Sequence, residues 1–359
     1  MKTRPTPEMK KLLSAVASRN PLESAQAADI VCQQLGLHAF GPDNAPALAD
    51  AVTETVAEDV IRKGVMPGDI VSNIYQTRIL DAGEVPEYPV HFLAPGTEKD
   101  YTSYVVPGQG MIPDKRVTGD SVMVPTYTVG NGMSVGLDYV RNARWDVVGD
   151  LAELLRDAFV KKFNDDGWHV LLAAATDRNI VIYDSDATAG QFTKRLISLM
   201  KVAMRRNGGG NSTSVNRGKL TDLYVSPEAL EDMRNWNIDQ VDEVTRRELL
   251  SQESTETVRF MGLNIHPIDE LGESQDYQTF FTYTLGGTLG PSSDVELVVG
   301  LDLSPGPATF VKPVRLVDGQ QVAIYEDPTY HRRNLASWYG RGQCGWAVLD
   351  NRKVLLGSF

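Results

Sequence analysis

The sequence predicts an α+β protein with a discontinuous organisation and no internal repeat. Apolar residues recur at helical spacing over residues 1–64 and again over a long stretch that begins at Trp145. Between these stretches, residues 70–140 are rich in proline and glycine, with β-branched and aromatic segments in between. From Leu220 onward, short strand-like segments alternate with turns. Helices and strands are therefore interleaved along the chain.

Composition excludes several classes of protein. The 359 residues include 35 Lys and Arg against 47 Asp and Glu, which gives a net charge of −12. This acidic balance disfavours a protein that coats nucleic acid with its whole surface. The longest apolar run, Val170–Ala175, is far shorter than the ~20 residues of a membrane span, and the N-terminus lacks the apolar region of a signal peptide. We therefore expect a soluble intracellular protein that contacts no membrane, with Cys32 and Cys344 as reduced thiols.

The first 64 residues are predicted to form three short helices. Asn20-Pro21-Leu22-Glu23 has the form of a capping box that begins the second of them. The apolar stripes of these helices are narrow, so we expect the helices to pack on another surface rather than on each other. Residues 1–19 carry five basic side chains against Glu8 alone, namely Lys2, Arg4, Lys10, Lys11 and Arg19.

Residues 84–129 are predicted to form a long two-stranded arm. Its strands are expected at Tyr101–Val106 and Ser121–Val129, with a polar tip between Gly108 and Gly119. The glycine-rich segment Gly130–Gly136 is interpreted as the end of a hairpin. Because an isolated hairpin is barely stable in water, the arm implies a surface on which it lies, such as another subunit.

The second half of the chain is predicted to begin with a helix of about 30 residues from Trp145, provided that Gly167 is tolerated inside it. A further helix is expected over Phe192–Arg206, with caps offered by Asp184-Ser185-Asp186. Leu220–Ser226 is predicted to be a strand that leads into a helix with Ser226 as N-cap and Pro227 in the first position. Further strands are predicted at Thr257–Met261, Asn264–Ile268, Thr279–Leu285, Val295–Leu301 and Val322–Glu326, and two or three more between Leu335 and Leu356.

Motifs of enzymes are absent from the sequence. It contains no P-loop, no paired histidines at metal-binding spacing and no Gly-x-Ser-x-Gly elbow. His169 is interpreted as a packed structural histidine on the long helix. Asp165-Asp166 and Asp184-x-Asp186 are able to hold a cation. The same residues are also ordinary at a helix irregularity and at a helix N-cap, respectively. We therefore expect no catalytic residue, cofactor or metal.

Several segments, in their order along the chain, resemble a known family. They are Leu-Tyr-Val-Ser-Pro-Glu-Ala-Leu at Leu223–Leu230 after a Gly/Asn-rich loop, the stretch Gly262–Gly272, Tyr325-Glu-Asp-Pro-Thr, Ser337-Trp-Tyr-Gly-Arg and Gly345-Trp-Ala-Val-Leu-Asp350. Together with the helical N-terminus, the Pro/Gly-rich arm and the long helix, this order resembles the major capsid proteins of tailed bacteriophages. Their Hong Kong 97-type fold is shared with encapsulins. The resemblance covers about residues 70–359.

The resemblance implies a domain layout. The E-loop would span about residues 84–129, the spine helix about Trp145–Asp177, and strands of the P domain about Leu335–Asp350. The expected divisions are an N-terminal helical arm at 1–70, the E-loop hairpin with flanking P-domain strands at 71–144, the P domain with its spine helix at 145–219, the A domain at 220–325, and a return through the P domain at 326–359.

The resemblance also implies a non-enzymatic shell protein. It would form hexamers and pentamers around packaged double-stranded DNA in a phage virion, after assembly in the host cytoplasm. Tyr101, Tyr104, Asp114, Lys115 and Arg116 are expected at subunit contacts. The basic residues of segment 1–19 are expected to face inward or to lie on a neighbour's acidic surface.

Partners and alternatives follow from the same resemblance. The short stretch before the E-loop predicts no proteolytic maturation and a separate scaffolding protein, beside a portal, while decoration proteins are left open. An encapsulin-like compartment around cargo protein and a soluble α+β enzyme are the alternatives.

Overall fold

A computed structural model describes residues 70–81, 83–90, 120–136, 145–177, 180–188, 190–207, 218–236, 258–290, 296–305, 309–327 and 334–359. It divides into two compact units, and each of them combines separate segments of the chain. The first unit takes its described residues from 70–86, 124–166 and 312–346, and the second takes them from 87–123, 167–311 and 347–359. The predicted α+β class and its discontinuous organisation are confirmed.

The described residues form strands β1 to β14 and helices α1 to α4. The strands are β1 Gln76–Leu80, β2 Glu87–Val90, β3 Asp120–Met123, β4 Tyr127–Gly136, β5 Val181–Ile182, β6 Asp222–Val225, β7 Val258–Phe260, β8 Leu263–Pro267, β9 Leu297–Leu301, β10 Phe310–Arg315, β11 Val322–Glu326, β12 Leu335–Cys344, β13 Ala347–Val348 and β14 Val354–Ser358. The helices are α1 Trp145–Thr176, α2 Lys194–Asn207, α3 Pro227–Asn235 and α4 Asp276–Thr279, the last continued by a π-helical turn, Phe280–Thr284. Short 3₁₀ helices lie at Ile70–Asn73, Asp269–Leu271 and Asn351–Lys353.

The sheet of the first unit is organised around β12. Strand β4 pairs with β12 in antiparallel register along ten residues, from Gly136 opposite Leu335 to Tyr127 opposite Cys344. Strand β11 also pairs antiparallel with β12, and β10 joins β12 to β1. Three distant segments of the chain thus share one sheet.

Glycine in β12 allows α1 to pack closely on this sheet. A Cβ atom at Gly340 would lie 2.7 Å from the ring of Phe159. Farther along the helix, Phe163 packs against Trp346, with 6.4 Å between the ring centroids. The Nζ atom of Lys312 lies 4.4 Å from the centre of the Trp346 ring and 4.9 Å from that of Phe163. Because Lys312 is only 2% exposed, the two rings form part of the solvation of its charge.

A polar contact fixes the same helix against β4. The hydroxyl of Tyr127 donates to the Asp166 carboxylate at 2.7 Å, and the same carboxylate pairs with Lys162 at 2.7 Å. Cys344, opposite Tyr127 in the sheet, is buried and free, and burial raises the pKa of its thiol to about 11. A thiol with such a pKa is protonated and unreactive at neutral pH. Cys32 lies outside the described residues.

The sheet of the second unit has the strand order β5-β14-β9-β6-β8-β7. Parallel pairing joins β5 to β14 and β6 to β8, and the other neighbours are antiparallel. Helices α2 and α3 contribute Leu196, Met200 and Met233 to a core that includes Leu223 and Ile265 of the sheet. Burial of such side chains contributes roughly 1.5–3 kcal/mol each and is the main source of the unit's stability.

Helix α3 begins where the sequence predicts. The hydroxyl of Ser226 accepts a hydrogen bond from the amide of Ala229 at 3.2 Å, and Pro227 occupies the first helical position. At the other end of the helix, Trp236 donates its indole N–H to the carbonyl oxygen of Phe192 at 2.8 Å. Both predictions for this junction, strand and helix start, are confirmed.

The last ten residues of α1 belong to the second unit and carry aromatic side chains into it. Trp168 lies edge-on to Tyr224 at 5.2 Å and stacks on Tyr277 at 5.5 Å between ring centroids. His169 stacks on Phe280 at 3.9 Å. The interpretation of His169 as a packed histidine is confirmed, as is a helix of about 30 residues with Gly167 inside it.

The predicted strand at Thr279–Leu285 is wrong. Its Phe, Tyr and Thr residues favour a strand locally, but the chain here forms the end of α4 and the π-helical turn. Tyr277 and Phe281 are both buried and lie four residues apart, about one turn of this helical segment. Packing against Trp168 therefore overrides local propensity.

Two predictions about the arm are also wrong in detail. Ser121–Val129 is not one strand, because β3 ends at Met123 and β4 begins at Tyr127 in a different sheet. Gly130–Gly136 is not a hairpin end but more than half of β4, held by its long pairing with β12. The partner strand lies two hundred positions away in the sequence, so no local pattern reveals it.

The predicted N-cap of α2, Asp184-Ser185-Asp186, is not the residue that caps the helix. Thr193 caps the helix, since its hydroxyl accepts from the amide of Leu196 at 3.2 Å. Asp184 accepts in turn from the Thr193 hydroxyl at 2.8 Å and from the amide of Asp186 at 3.2 Å. The Asp-Ser-Asp segment therefore supports the cap without being it.

The contact between Gly340 and Phe159 predicts a pair of contrasting substitutions. Gly340→Ala should lower the free energy of unfolding by about 1–3 kcal/mol, because its Cβ atom forces the Phe159 ring to shift. Gly130→Ala, on the neighbouring strand, places its Cβ 3.5 Å from the Gly340 carbonyl, an ordinary contact, and should leave stability unchanged or raise it by up to ~1 kcal/mol. Urea unfolding of the two unassembled variants measures both, and equal destabilisation would contradict the packing described here.

Candidate intersubunit surface

The residues that the sequence predicts for subunit contacts all lie outside the described ranges. They are Tyr101, Tyr104, Asp114, Lys115 and Arg116 in the arm, and Lys2, Arg4, Lys10, Lys11 and Arg19 in the N-terminal segment. What the structure describes is the base of the arm and the elements that hold it.

A two-stranded ribbon forms this base. Strands β2 and β3 pair in antiparallel register, with Glu87 opposite Met123 and Val90 opposite Asp120. Residues 91–119, which include the predicted strand Tyr101–Val106 and the predicted tip, lie between these two strands and outside the described ranges, so the predicted pairing of the arm stays a prediction. Met123 is 64% exposed, and none of the other described strands pairs with the ribbon. Within the part of the chain that the structure describes, the edges of the ribbon are unpaired, and an unpaired strand edge is able to accept a further strand.

Glu84 anchors the chain just before the ribbon. Its carboxylate accepts from the backbone N–H of Asp81 at 3.0 Å and pairs with the guanidinium of Arg78. These contacts lower the pKa of Glu84, the Asp81 amide most of all, so the carboxylate is ionised at neutral pH. The carbonyl oxygen of Glu84 accepts from Arg315 of β10 at 3.0 Å. The chain just before the ribbon is therefore fixed to the sheet of the first unit.

Asp222 and His266 form a polar pair across β6 and β8. The Nε2 atom of His266 lies 3.0 Å from the Asp222 carboxylate, which also accepts from Asn264 at 3.1 Å. Tyr224 stacks on the imidazole at 4.8 Å. Burial raises the pKa of Asp222, but hydrogen bonding with His266, Thr221 and Asn264 outweighs it, and the net shift is downward. A carboxylate and a histidine in this arrangement are able to move a proton, and here they join two neighbouring parallel strands.

Ser226 and Glu296 form a second, more deeply buried pair. The hydroxyl of Ser226, which caps α3, donates to the carboxylate of Glu296. Ser226 is fully buried and Glu296 is 7% exposed, so no substrate reaches this hydroxyl without local opening. Burial raises the pKa of Glu296, against the hydrogen bond from Ser226. Three nearby carboxylates raise it further, those of Glu228, Asp232 and Glu273.

The fold of this chain is similar to the folds of several solved structures. A chain from Microbacterium phage Oxtober96 superposes with a TM-score of 0.53 at 10% identity and covers 81% of this chain and 90% of its own. A chain from Gordonia phage Cozz gives 0.51 at 13% identity, with 81% and 86% covered. The capsid of a native GTA particle gives 0.51 at 11% identity, with 81% and 90% covered.

The chain has the phage capsid fold. At these identities the likeness concerns the fold, and the resemblance inferred from the sequence is confirmed at that level. No protein-family model and no curated protein matches the sequence.

Two further properties of the described residues bear on the site. Over the ranges that the structure describes, no helix combines the length and the apolar character required to cross a membrane. The His, Cys, Asp and Glu side chains in the same ranges form no group of three or more suited to a metal ion.

The buried carboxyl of Glu296 predicts a pH-dependent gain in stability for Glu296→Gln. Since the pKa is raised in the folded state, folding favours the protonated form, and stability falls as pH rises from the ordinary glutamate value through the raised one. Glutamine keeps an oxygen for the Ser226 hydroxyl but carries no charge. The thermal midpoint of the variant relative to the parent should therefore rise between pH 4 and pH 8.

Glu231→Gln is the matched control, because Glu231 is exposed on the same unit and pairs only loosely with Arg234, at 3.6 Å. It should show no gain that grows with pH. A constant difference for Glu296→Gln at all pH values, or a loss at pH 8, would contradict the assignment of a buried carboxyl whose pKa is raised.

Proposed function

We propose that the protein is the major capsid protein of a tailed phage. It self-assembles into hexamers and pentamers that close an icosahedral head around packaged double-stranded DNA, and it is part of the virion after assembly in the host cytoplasm. The observation that carries this proposal is the fold, which agrees over about four-fifths of the chain with that of a particle-forming capsid. Its role is structural, with no catalytic step and no cofactor.

The arm is the first intersubunit element in this proposal. A two-stranded ribbon is marginally stable by itself, and the exposed side chains of Val122 and Met123 at its base leave apolar surface uncovered. We assign the subunit contacts to the part of the arm beyond this base, at Tyr101, Tyr104, Asp114, Lys115 and Arg116. Single exposed ion pairs contribute only ~0–1 kcal/mol each, so repetition around a closed shell gives them their effect.

The exposed face of β4 offers a second place for close approach by another chain. Gly130 and Gly132 are two positions apart and therefore lie on the same face of β4, beside the exposed Tyr339 of β12. Neither has a positive φ, and a Cβ atom at either would meet described atoms only at 3.5 Å or more. The described residues of the subunit therefore give no steric reason for glycine at these positions. Glycine in a strand is often found where another backbone comes close.

The basic N-terminal segment is the proposed inward-facing element. Lys2, Arg4, Lys10, Lys11 and Arg19 lie within the first nineteen residues of a chain whose net charge is −12. Lys and Arg near phosphates gain free energy from the release of counterions. Further proposed partners are a scaffolding protein, a portal and, where the outer surface is decorated, decoration proteins.

Electron microscopy of the expressed protein, alone and with its scaffolding protein, tests the proposal. Closed icosahedral particles that retain DNA are the expected result. Particles that enclose protein cargo instead of DNA would favour the encapsulin-like alternative. A protein that stays monomeric at high concentration under both conditions would contradict shell formation altogether.

The arm is tested by replacing residues 108–119 with a short Gly-Ser turn. The variant should remain soluble and form capsomers but should give shells that break at lower temperature than the parent, because the tip no longer clamps a neighbour. Replacement of the Gly/Asn/Ser/Thr-rich residues 208–214 by Gly-Ser is the control. Particles of the arm variant as heat-resistant as the parent would show that the arm is not an intersubunit clamp.

The N-terminal segment is tested by deletion of residues 1–19. We expect fewer particles or less retained DNA, since five cations are lost from the proposed inner side. A variant with glutamine at the five basic positions separates charge from chain length. An unchanged yield of stable, DNA-filled particles from both variants would rule out this role.

A further inference from the structure

The exposed face of α2 is basic along its whole length. One side of the helix, with Leu196, Ile197, Met200 and Met204, is buried in the core of the second unit. The opposite side contains no acidic residue, and its members are Lys194, Arg195, Ser198, Lys201, Val202, Arg205 and Arg206. On a chain with a net charge of −12 this is a local reversal of sign. We call these seven residues the α2 basic face.

The charge of this face is least compensated towards the C-terminal end of the helix. Arg195 pairs with Asp186 and, at 3.6 Å, with Asp184. Arg205 and Arg206 are exposed, and among the described residues neither has an acidic side chain within ion-pair distance. The helix dipole accounts for cations in the last turn, but it does not account for a basic face that extends through the helix.

Two further amines lie close to this end. Lys201 uses one of its three N–H groups to donate to the carbonyl oxygen of Met261 at 2.7 Å, which holds the ammonium at the surface. A Cβ atom at Gly218 would lie 2.6 Å from the carbonyl oxygen of Met204, so the chain packs directly on the end of α2 there. The exposed Lys219 follows immediately. Packing thus places the backbone next to the exposed residue Lys219 beside the end of α2.

We propose that the α2 basic face, through Lys201, Arg205 and Arg206 together with Lys219, binds the phosphate backbone of the packaged double-stranded DNA. This inference rests on the proposed function and identifies the surface through which the shell contacts its contents. From Lys194 to Arg205 the helix advances about 16 Å. Duplex DNA carries one charge per ~1.7 Å of its axis, so the face is as long as about five base pairs, which carry roughly ten phosphates.

The composition of the face favours DNA over an acidic surface of a second subunit. The cores of protein–protein interfaces are depleted in charged residues and enriched in apolar ones, and Val202 is the one exposed large apolar side chain on this face. Interfaces with DNA are, by contrast, polar and strongly positive. Contacts of this kind involve phosphates alone, so the binding is independent of base sequence.

The test is the salt dependence of DNA binding by the full-length, unassembled protein. The variant Lys201→Gln, Arg205→Gln, Arg206→Gln loses three cations and keeps helix-forming side chains. For a plain double-stranded fragment, the slope of log affinity against log salt concentration should become shallower by about 2.7, or ~0.9 for each contact. Between 50 and 200 mM NaCl the parent should then lose affinity about 40-fold more than the variant.

The matched control is Lys161→Gln, Arg234→Gln, Arg259→Gln, which removes the same charge from other positions of the described structure and should keep the parental slope. Equal slopes for the two triple variants, or a parent that does not bind the fragment, would overturn the inference. A variant with the parental slope that no longer assembles would also overturn it and would identify the face as a subunit contact.

Electron microscopy of the same variant separates this inference from the proposed function. Shells of normal size that retain less DNA than the parent support both. If the parent forms no shells, the proposed function fails, while the difference in salt slope still reports whether the α2 basic face binds DNA.

Discussion

The antiparallel ladder between β4 and β12 is the constraint on which the first unit depends. It joins residues 127–136 to residues 335–344 through ten consecutive pairs. Only when it has formed does Gly340 lie under Phe159, and only then does Trp346 reach Phe163 and Lys312. The entropy cost of closing such a long loop rises slowly with its length, so the separation costs little stability. It does make the central contacts of this unit non-local, and folds rich in non-local contacts form slowly.

Elements with a local signal could be predicted from the sequence, and elements defined by distant partners could not. Ser226 and Pro227 form a capped helix start from side-chain chemistry within four residues. Gly130–Gly136, by contrast, forms part of a strand only because it pairs with β12, about two hundred residues further along the chain. The turn at Phe280–Thr284 has the composition of a strand and becomes helical because Trp168 and His169 supply an aromatic surface for it. Each error thus marks a place where tertiary packing decides the outcome.

The candidate sites differ in the same way. The arm and the basic N-terminus are visible in composition alone, since proline, glycine and charge runs need no fold to be recognised. The α2 basic face is visible only in part, because the sequence shows Arg205-Arg206 as the end of a helix but not which side chains face solvent or that Lys219 returns to them. No sequence signal indicates the buried Glu296, whose burial and Ser226 contact arise from the meeting of β9, α3 and β14.

Local charge, rather than net charge, governs how such a chain meets DNA. Electrostatic interactions between exposed groups are screened beyond about 8–10 Å at physiological salt, so an overall charge of −12 does not cancel a basic face 16 Å long. The net negative charge still has an effect, because acidic parts of the surface repel the phosphates of a duplex. In the proposed function, weak and sequence-independent contacts on this face would hold DNA against the shell without preventing its release.

The glycines of β4 show how the needs of the subunit and of the shell diverge. Each glycine in a strand costs roughly 0.5–1 kcal/mol relative to alanine, and the structure offers no internal contact that requires Gly130 or Gly132. Two such residues lower the stability of a subunit by ~1–2 kcal/mol out of the ~5–15 kcal/mol that is usual for a folded protein. In an assembled shell, a close approach over this face buries apolar area of the partner at roughly 25 cal/mol per Å², and about 80 Å² suffices to offset the loss. In the proposed shell, a side chain at these positions would therefore help the isolated subunit and hinder the assembly.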